Sequence, residues 1–141
     1  MDRADQAQLQ PLDEDDCKRL VTTQDVGRLV IGSTVPNIRP VNYAVSADRI
    51  FIRTDVALPV EADVAFEVDQ IDAASREGWS VVARGVLHPV DACDVPEAAR
   101  LTRPWAGGEK HAWSVIDVDA LTGRRVRAAQ STETGDSRGY L

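Results

Sequence analysis

Two cysteines, two histidines and one methionine are all that 141 residues supply of the side chains that ligate soft metals or carry thiol chemistry. Cys17 and Cys93 lie far apart, and neither histidine stands at zinc-ligand spacing from them, since His88 precedes Pro89 and His111 follows a glycine turn. A disulfide framework, a zinc site and a haem pocket are therefore not expected, and both cysteines read as buried free thiols of a reducing compartment. No apolar run approaches the roughly 20 residues that span a bilayer. The opening Met1-Asp2-Arg3-Ala4-Asp5-Gln6 lacks the apolar stretch of a secretory signal, so a cytoplasmic location is expected. Basic residues are in deficit: 16 against 23 acids gives a net charge of -7 and a pI near 4.7. That balance argues against nucleic acid or an anionic membrane as partner. Two motifs fail on the residues they need. Gly78-Trp79-Ser80-Val81-Val82 lacks the second glycine of a nucleophile elbow. The acidic run from Asp13 has no glycine at the sixth position, and Gln24 stands where a calcium loop needs glutamate.

What is present is alternation. Ile38 to Val45, a polar turn at Ser46-Ala47-Asp48, and Arg49 to Thr54 read as a β-hairpin, rich in β-branched and aromatic residues on both arms. Alternate side chains of a strand point to opposite faces, so Arg39, Val41, Tyr43 and Val45 share one face, and Pro40, Asn42 and Ala44 the other. Arg39 and Arg53 fall near the same end of this hairpin, beside Asn42 and Thr54, and together suggest an anion-holding pair. The competing reading is two arginines on a solvated sheet face. Further strands are expected at 28–32, 64–69, 79–87 with Gly85 as a bulge, 112–118 and 121–127. A helix from Asp13, which serves as its cap, carries Cys17, Leu20 and Val21 on one face. A second short helix runs from Pro96 to Thr102. Residues 1–12 read as a flexible arm, 13–127 as one mainly β domain, and 128–141 as a disordered tail. Six or seven short strands with two small helices suggest an antiparallel barrel, because closure removes exposed edges.

Several of these segments together resemble the pyridoxamine 5'-phosphate oxidase-like family, the FMN-binding split barrels, particularly its small single-domain actinobacterial-type members. The resemblance rests on Gly27-Arg28-Leu29, Arg39-Pro40-Val41-Asn42-Tyr43, Phe51-Ile52-Arg53-Thr54, Val64 to Asp69, Gly78 to Gly85 and Leu121-Thr122-Gly123-Arg124-Arg125. It implies a six-stranded antiparallel split β-barrel that forms a homodimer with two flavin sites at the subunit interface. It further implies that Arg39, Val41 and Asn42 lie along the flavin ring, and that Arg53, Thr54 and Asp55 meet the phosphate and ribityl chain. Trp79 and Ser80 would complete the cofactor site. The expected activity is redox chemistry on a small molecule, with no catalytic side chain identified.

One stretch departs from the family's pattern. Relatives that bind FMN commonly follow the Phe-x-x-Thr strand with a Gly/Ser-x-Lys element whose lysine and backbone N–H groups hold the phosphate. Here Asp55 to Asp63 carries three acids and no Gly, Ser or Lys. Two alternatives follow: a deazaflavin (F420)-dependent reductase that uses Arg39 and Arg53 for a longer anionic tail, or a split-barrel homodimer that has lost the cofactor and binds a ligand or serves a structural role. Arg124, Arg125 and Arg127 form a basic patch that would grip a phosphate from the partner subunit or, more simply, face solvent.

Overall fold

Six of the seven strands close on themselves because the last is long enough to pair with two sets of neighbours. The computed structural model describes residues 8–32, 34–55, 58–100 and 112–128. In chain order these form β1 (Gln8–Leu12), α1 (Glu14–Val21), β2 (Val26–Ile31), β3 (Asn37–Ser46), β4 (Arg49–Thr54), β5 (Ala62–Asp72), β6 (Glu77–Pro89), a single 3-10 turn (Ala92–Asp94), α2 (Glu97–Arg100) and β7 (Ala112–Arg127). The sheet order is β1-β7-β4-β3-β2-β5-β6, all antiparallel, and β6 also pairs with β7, which closes a six-stranded barrel. The mainly β architecture matches the expectation from alternation.

Inside lies the core, to which the two arms of the hairpin contribute residues of opposite parity. Val41, Tyr43, Ile50 and Ile52 face Leu29, Phe66, Val68, Val81, Ala83 and Leu87. Tyr43 and Phe66 meet edge to face with centroids 5.0 Å apart, a favoured aromatic geometry. Helix α1 stoppers this core with Cys17, Leu20 and Val21, and the Tyr43 hydroxyl donates to the Val21 carbonyl. Burial pushes the Cys17 thiol up, which leaves it a small packed hydrophobe. Asp13 caps the helix as expected, accepting from the Asp16 N–H at 2.8 Å.

Two glycines are there because nothing larger fits. A Cβ on Gly27 would lie 2.3 Å from the Phe66 ring, and one on Gly85 would lie 2.0 Å from the Asp117 carbonyl oxygen. The register between β6 and β7 shifts between Arg84 and Gly85, so the expected bulge is present.

Several expectations are corrected. The arm expected to be loose is, over Gln8–Leu12, a strand paired with the second half of β7. Its side chains are exposed except for the half-buried Leu12, so hydrophobic pattern could not reveal it; the open edge of β7 beyond β4 is what recruits it. The two strands expected at 112–118 and 121–127 are one strand, Ala112–Arg127. It continues because β6 pairs along most of its length while β4 and then β1 cover its other edge. Cys93, expected to be buried, is exposed beside the 3-10 turn. Helix α2 ends at Arg100 among the described residues; Leu101, Thr102, Trp105 and His111, and the tail from 129, lie outside them. Among the described residues no helix is long and apolar enough to cross a membrane.

Candidate functional site

Strand parity divides the expected site residues into two sets. Register pairs Asn42 with Arg53 and Arg53 with Trp113, so these three share a face, and that face is the outside of the barrel. Ser80 also points outward, because its neighbours Trp79 and Val81 point in. Asp55, exposed, follows the end of β4. Arg39, Val41, Thr54 and Trp79 have the opposite parity. Val41 and Trp79 belong to the core cluster, Thr54 is buried, and the half-buried Arg39 pairs with the buried Leu29. Arg39 and Arg53 therefore lie on opposite faces of the sheet and do not form one anion clasp.

The outer set forms part of a belt around the barrel. Arg53 lies over the Trp113 ring, its guanidinium carbon 5.4 Å from the centroid, a stacked cation–π contact that orients the fork. One strand over, Asn42 is buried at 9% exposure and offers both a donor and an acceptor. Next to Asn42 on the same face are Pro40, which is exposed, and Ile38, 63% exposed. Across β2, Arg28 pairs in register with Pro40 on one side and Glu67 on the other. Its Nε and Nη2 donate to Glu67 Oε1 at 2.8 and 2.6 Å, and Nη2 lies 2.8 Å from Asp69 Oδ2. Burial pushes the Glu67 carboxyl above its usual range, and its hydrogen bond with Asp69 adds to that, against the pull of Arg28. Asp69 in turn pairs with Ser80, which pairs with Arg124. With strands about 4.8 Å apart, the belt from Trp113 to Asp69 is wide enough for a flat tricyclic ring.

A second outer cluster, which sequence reading missed, sits further along β7. Asp117 accepts from Arg49 Nε at 2.8 Å and lies 2.6 Å from His88 Nε2. The hydrogen bond from His88, joined by Arg49, holds the Asp117 carboxyl below its usual range. Only cross-strand register brings these three together, since 39 residues separate His88 from Arg49 in the sequence. The same holds for Arg28 with Glu67. No signal in a single sequence marks either contact.

The belt carries what a flavin requires of a protein surface in part. Pro40 and Trp113 supply flat apolar contact, Asn42 supplies amide chemistry toward a ring edge, and Arg53 supplies a charged fork. Arg28 is already neutralised by two carboxylates. The acids Glu61 and Asp63, which adjoin β4 through the loop, do not add phosphate-binding charge.

Comparison with known proteins points in one direction. The family model for pyridoxamine 5'-phosphate oxidase matches residues 13–125. An uncharacterized protein of Mycobacterium tuberculosis is 36% identical over 133 residues, covering 86% of this chain and 88% of that protein. Among solved structures, the FAD binding protein from Mycobacterium smegmatis superimposes with a TM-score of 0.65 at 25% identity, over 85% of this chain and all (100%) of that one. A conserved protein of unknown function from Corynebacterium diphtheriae gives a TM-score of 0.66 at 32% identity, covering 82% of this chain and 96% of that one.

Proposed function

This chain belongs to the pyridoxamine 5'-phosphate oxidase family of flavin-binding split barrels, and on that premise we propose that it is a redox protein that binds a flavin-type cofactor on the outer belt and acts on a small molecule. The observation that carries this reading is the outward-facing group of Asn42, Arg53 and Trp113, with the Arg53 guanidinium stacked 5.4 Å from the indole centroid. A flavin, when bound, supplies the hydride and electron chemistry. The protein's part is to seat it. Arg53 faces the cofactor's anionic chain, the Asn42 carboxamide meets a polar ring edge, and Pro40 and Trp113 exclude water from the ring's faces. A site on an outer face is completed by a second subunit, so the reading includes a homodimer, supported by the exposed Ile38 on the same face of β3. The likeness to an FAD binding protein of Mycobacterium smegmatis supports a flavin and leaves FMN, FAD and deazaflavin to be separated by experiment.

Titration of purified protein with FMN, FAD and the deazaflavin F420, followed by flavin fluorescence, separates these cofactors. Arg53→Ala is expected to weaken the preferred cofactor at least tenfold, since a hydrogen bond to a charged group is worth about 1.5–3 kcal/mol. Unchanged affinity removes Arg53 from the site. A second reading, a split barrel that has lost its cofactor, is favoured by the acidic loop after β4, where Asp55 and Glu61 are exposed. A colourless preparation that quenches none of the three cofactors establishes it.

A further inference from the structure

One cavity lies away from the belt. It opens at the β5–β6 hairpin, where Gln70, Asp72, Glu77, Trp79, Arg125 and Arg127 line a cleft of about 560 Å³, within the size range of small-molecule sites. Its charges are sorted by strand. Asp72 and Glu77 are direct cross-strand partners on the hairpin, two carboxylates opposite each other. Arg125 and Arg127 alternate on one face of β7, about 7 Å apart along the strand. Like charges placed directly opposite on a sheet are destabilising, and a sheet built only for stability would interleave the signs. Here the acids occupy β5 and β6 and the bases β7, with Glu77 on the strand next to Arg127, and among the described residues no ion pair closes between the two acids and the two bases.

Two residues further along the same two strands, Gln70 and Trp79 are paired in register, and Trp79 pairs in turn with Arg125. Trp79 is held in the core at 7% exposure, so its indole is a fixed wall, and Gln70 presents both a donor and an acceptor. The two acids differ in what they have left to offer. Asp72 is tied to its own turn, accepting from the Ala74 N–H at 2.9 Å and from the Ser75 N–H and side chain, and contributes charge, whereas Glu77 accepts from the Ala128 N–H through Oε2 at 3.3 Å and keeps Oε1 for a ligand.

We propose that this cleft binds a small zwitterion of the amino-acid type, its carboxylate held by Arg125 and Arg127 and its ammonium facing Asp72 and Glu77. Planar guanidinium forks match a carboxylate, and two carboxylates match an ammonium that presents three donors. A simple anion would meet the acids, and a simple cation the arginines; a molecule carrying both charges satisfies both edges at once. Trp79 contacts its side chain. The site uses the inner-parity face of β5, β6 and β7, whereas the belt uses the outer face, so it stands whether or not a flavin binds.

Isothermal titration of the full chain with each of the twenty common amino acids tests this directly. At least one is expected to bind, with both its N-acetyl form, which keeps only the anion, and its amide, which keeps only the cation, weaker by tenfold or more. Arg125→Gln and Glu77→Gln should each reduce affinity at least tenfold while the melting temperature and circular dichroism of the variants stay near the parent's. Absence of heat for all twenty at millimolar concentration overturns the proposal. So does an N-acetyl form that binds as tightly as its parent, or an Arg125→Gln variant that folds and keeps full affinity.

Discussion

The two faces of the same strands differ in kind. On β3 and β4 the inward residues Val41, Tyr43, Ile50 and Ile52 are buried hydrocarbon and ring, each replaceable only by something of like volume. The residues between them, Asn42, Arg49 and Arg53, face outward and make their contacts through directed polar groups and stacking. A single strand therefore carries stability on one face and chemistry on the other, with a period of two. The exception sharpens the rule. Phe51 and Val115 face outward yet are buried, because Val95 and Ala99 of the 3-10 and α2 segment cover them. Where the outer face is covered it becomes core, and where it is more open it carries Arg49 and Arg53.

The largest test of this division is Phe66→Ala. Its ring is fully buried, touches Tyr43 and fills the space that Gly27 leaves for it. Loss of transfer free energy plus the cavity left behind is expected to cost about 3–5 kcal/mol, measured by urea unfolding followed by tryptophan fluorescence. If the outer belt held the barrel together instead, the loss would be below about 1 kcal/mol, and the assignment of stability to the inner face would be wrong.

An intermediate effect is expected on the belt itself. Arg28→Met leaves Glu67 and Asp69, each less than a third exposed, facing each other without a cation. The expected cost at pH 7 is about 1–3 kcal/mol, the penalty for stranding part-buried charged groups. Its pH dependence follows from the raised Glu67 pKa. A carboxyl whose folded value exceeds its unfolded value near 4.5 contributes stability that is full below 4.5 and lost as pH rises through the folded value. Removing Arg28 deletes the one group opposing that shift, so the variant should approach the parent's stability toward pH 4 and diverge above it. A loss that is the same at pH 4 and pH 7 would mean that Arg28 acts through packing of its stem rather than through charge.

Much of the inner face was legible in the sequence because burial writes itself as alternation. Alternation grouped Val41 with Tyr43 and Val64 with Phe66 and Val68, sets that the structure buries, and Gly85 marked the bulge; that Ile50 and Ile52 are the inward pair of the returning arm came from the pairing alone. Strand β1 was not legible. Its side chains face water and its backbone alone is engaged, so nothing in Gln8-Leu9-Gln10-Pro11-Leu12 distinguishes it from a loose arm. The break expected between 118 and 121 is likewise absent, and Gly123 has a packing role. It lies within β7 because a Cβ there would come 2.8 Å from the Cys17 sulfur, so the glycine makes room for α1 rather than ending the strand. The candidate site was legible residue by residue but not as a patch. Arg39 and Arg53 looked adjacent by distance along the hairpin, and only the register showed their opposite parity. Trp113 stands beside Arg53 through a pairing between residues 60 apart in the sequence.

The smallest effect expected separates directed outer contacts that matter for stability from those that do not. Asp117 bridges Arg49 and His88, and its side chain is 51% exposed, so solvent screens both partners. The hydrogen bond from His88 holds the Asp117 carboxyl below its usual 3.8. A group whose folded pKa is depressed contributes stability present above its unfolded value and lost as pH falls through the folded one. Asp117→Asn should therefore lower stability near neutral pH by only about 0.2–1 kcal/mol, the range for exposed ion pairs, and flatten the parent's loss below about pH 4. Urea unfolding at pH 3 and pH 7 checks both points. A loss at pH 7 approaching that of Arg28→Met would show that exposure does not rank these two clusters, and would move His88, Asp117 and Arg49 from an open surface to one that something covers.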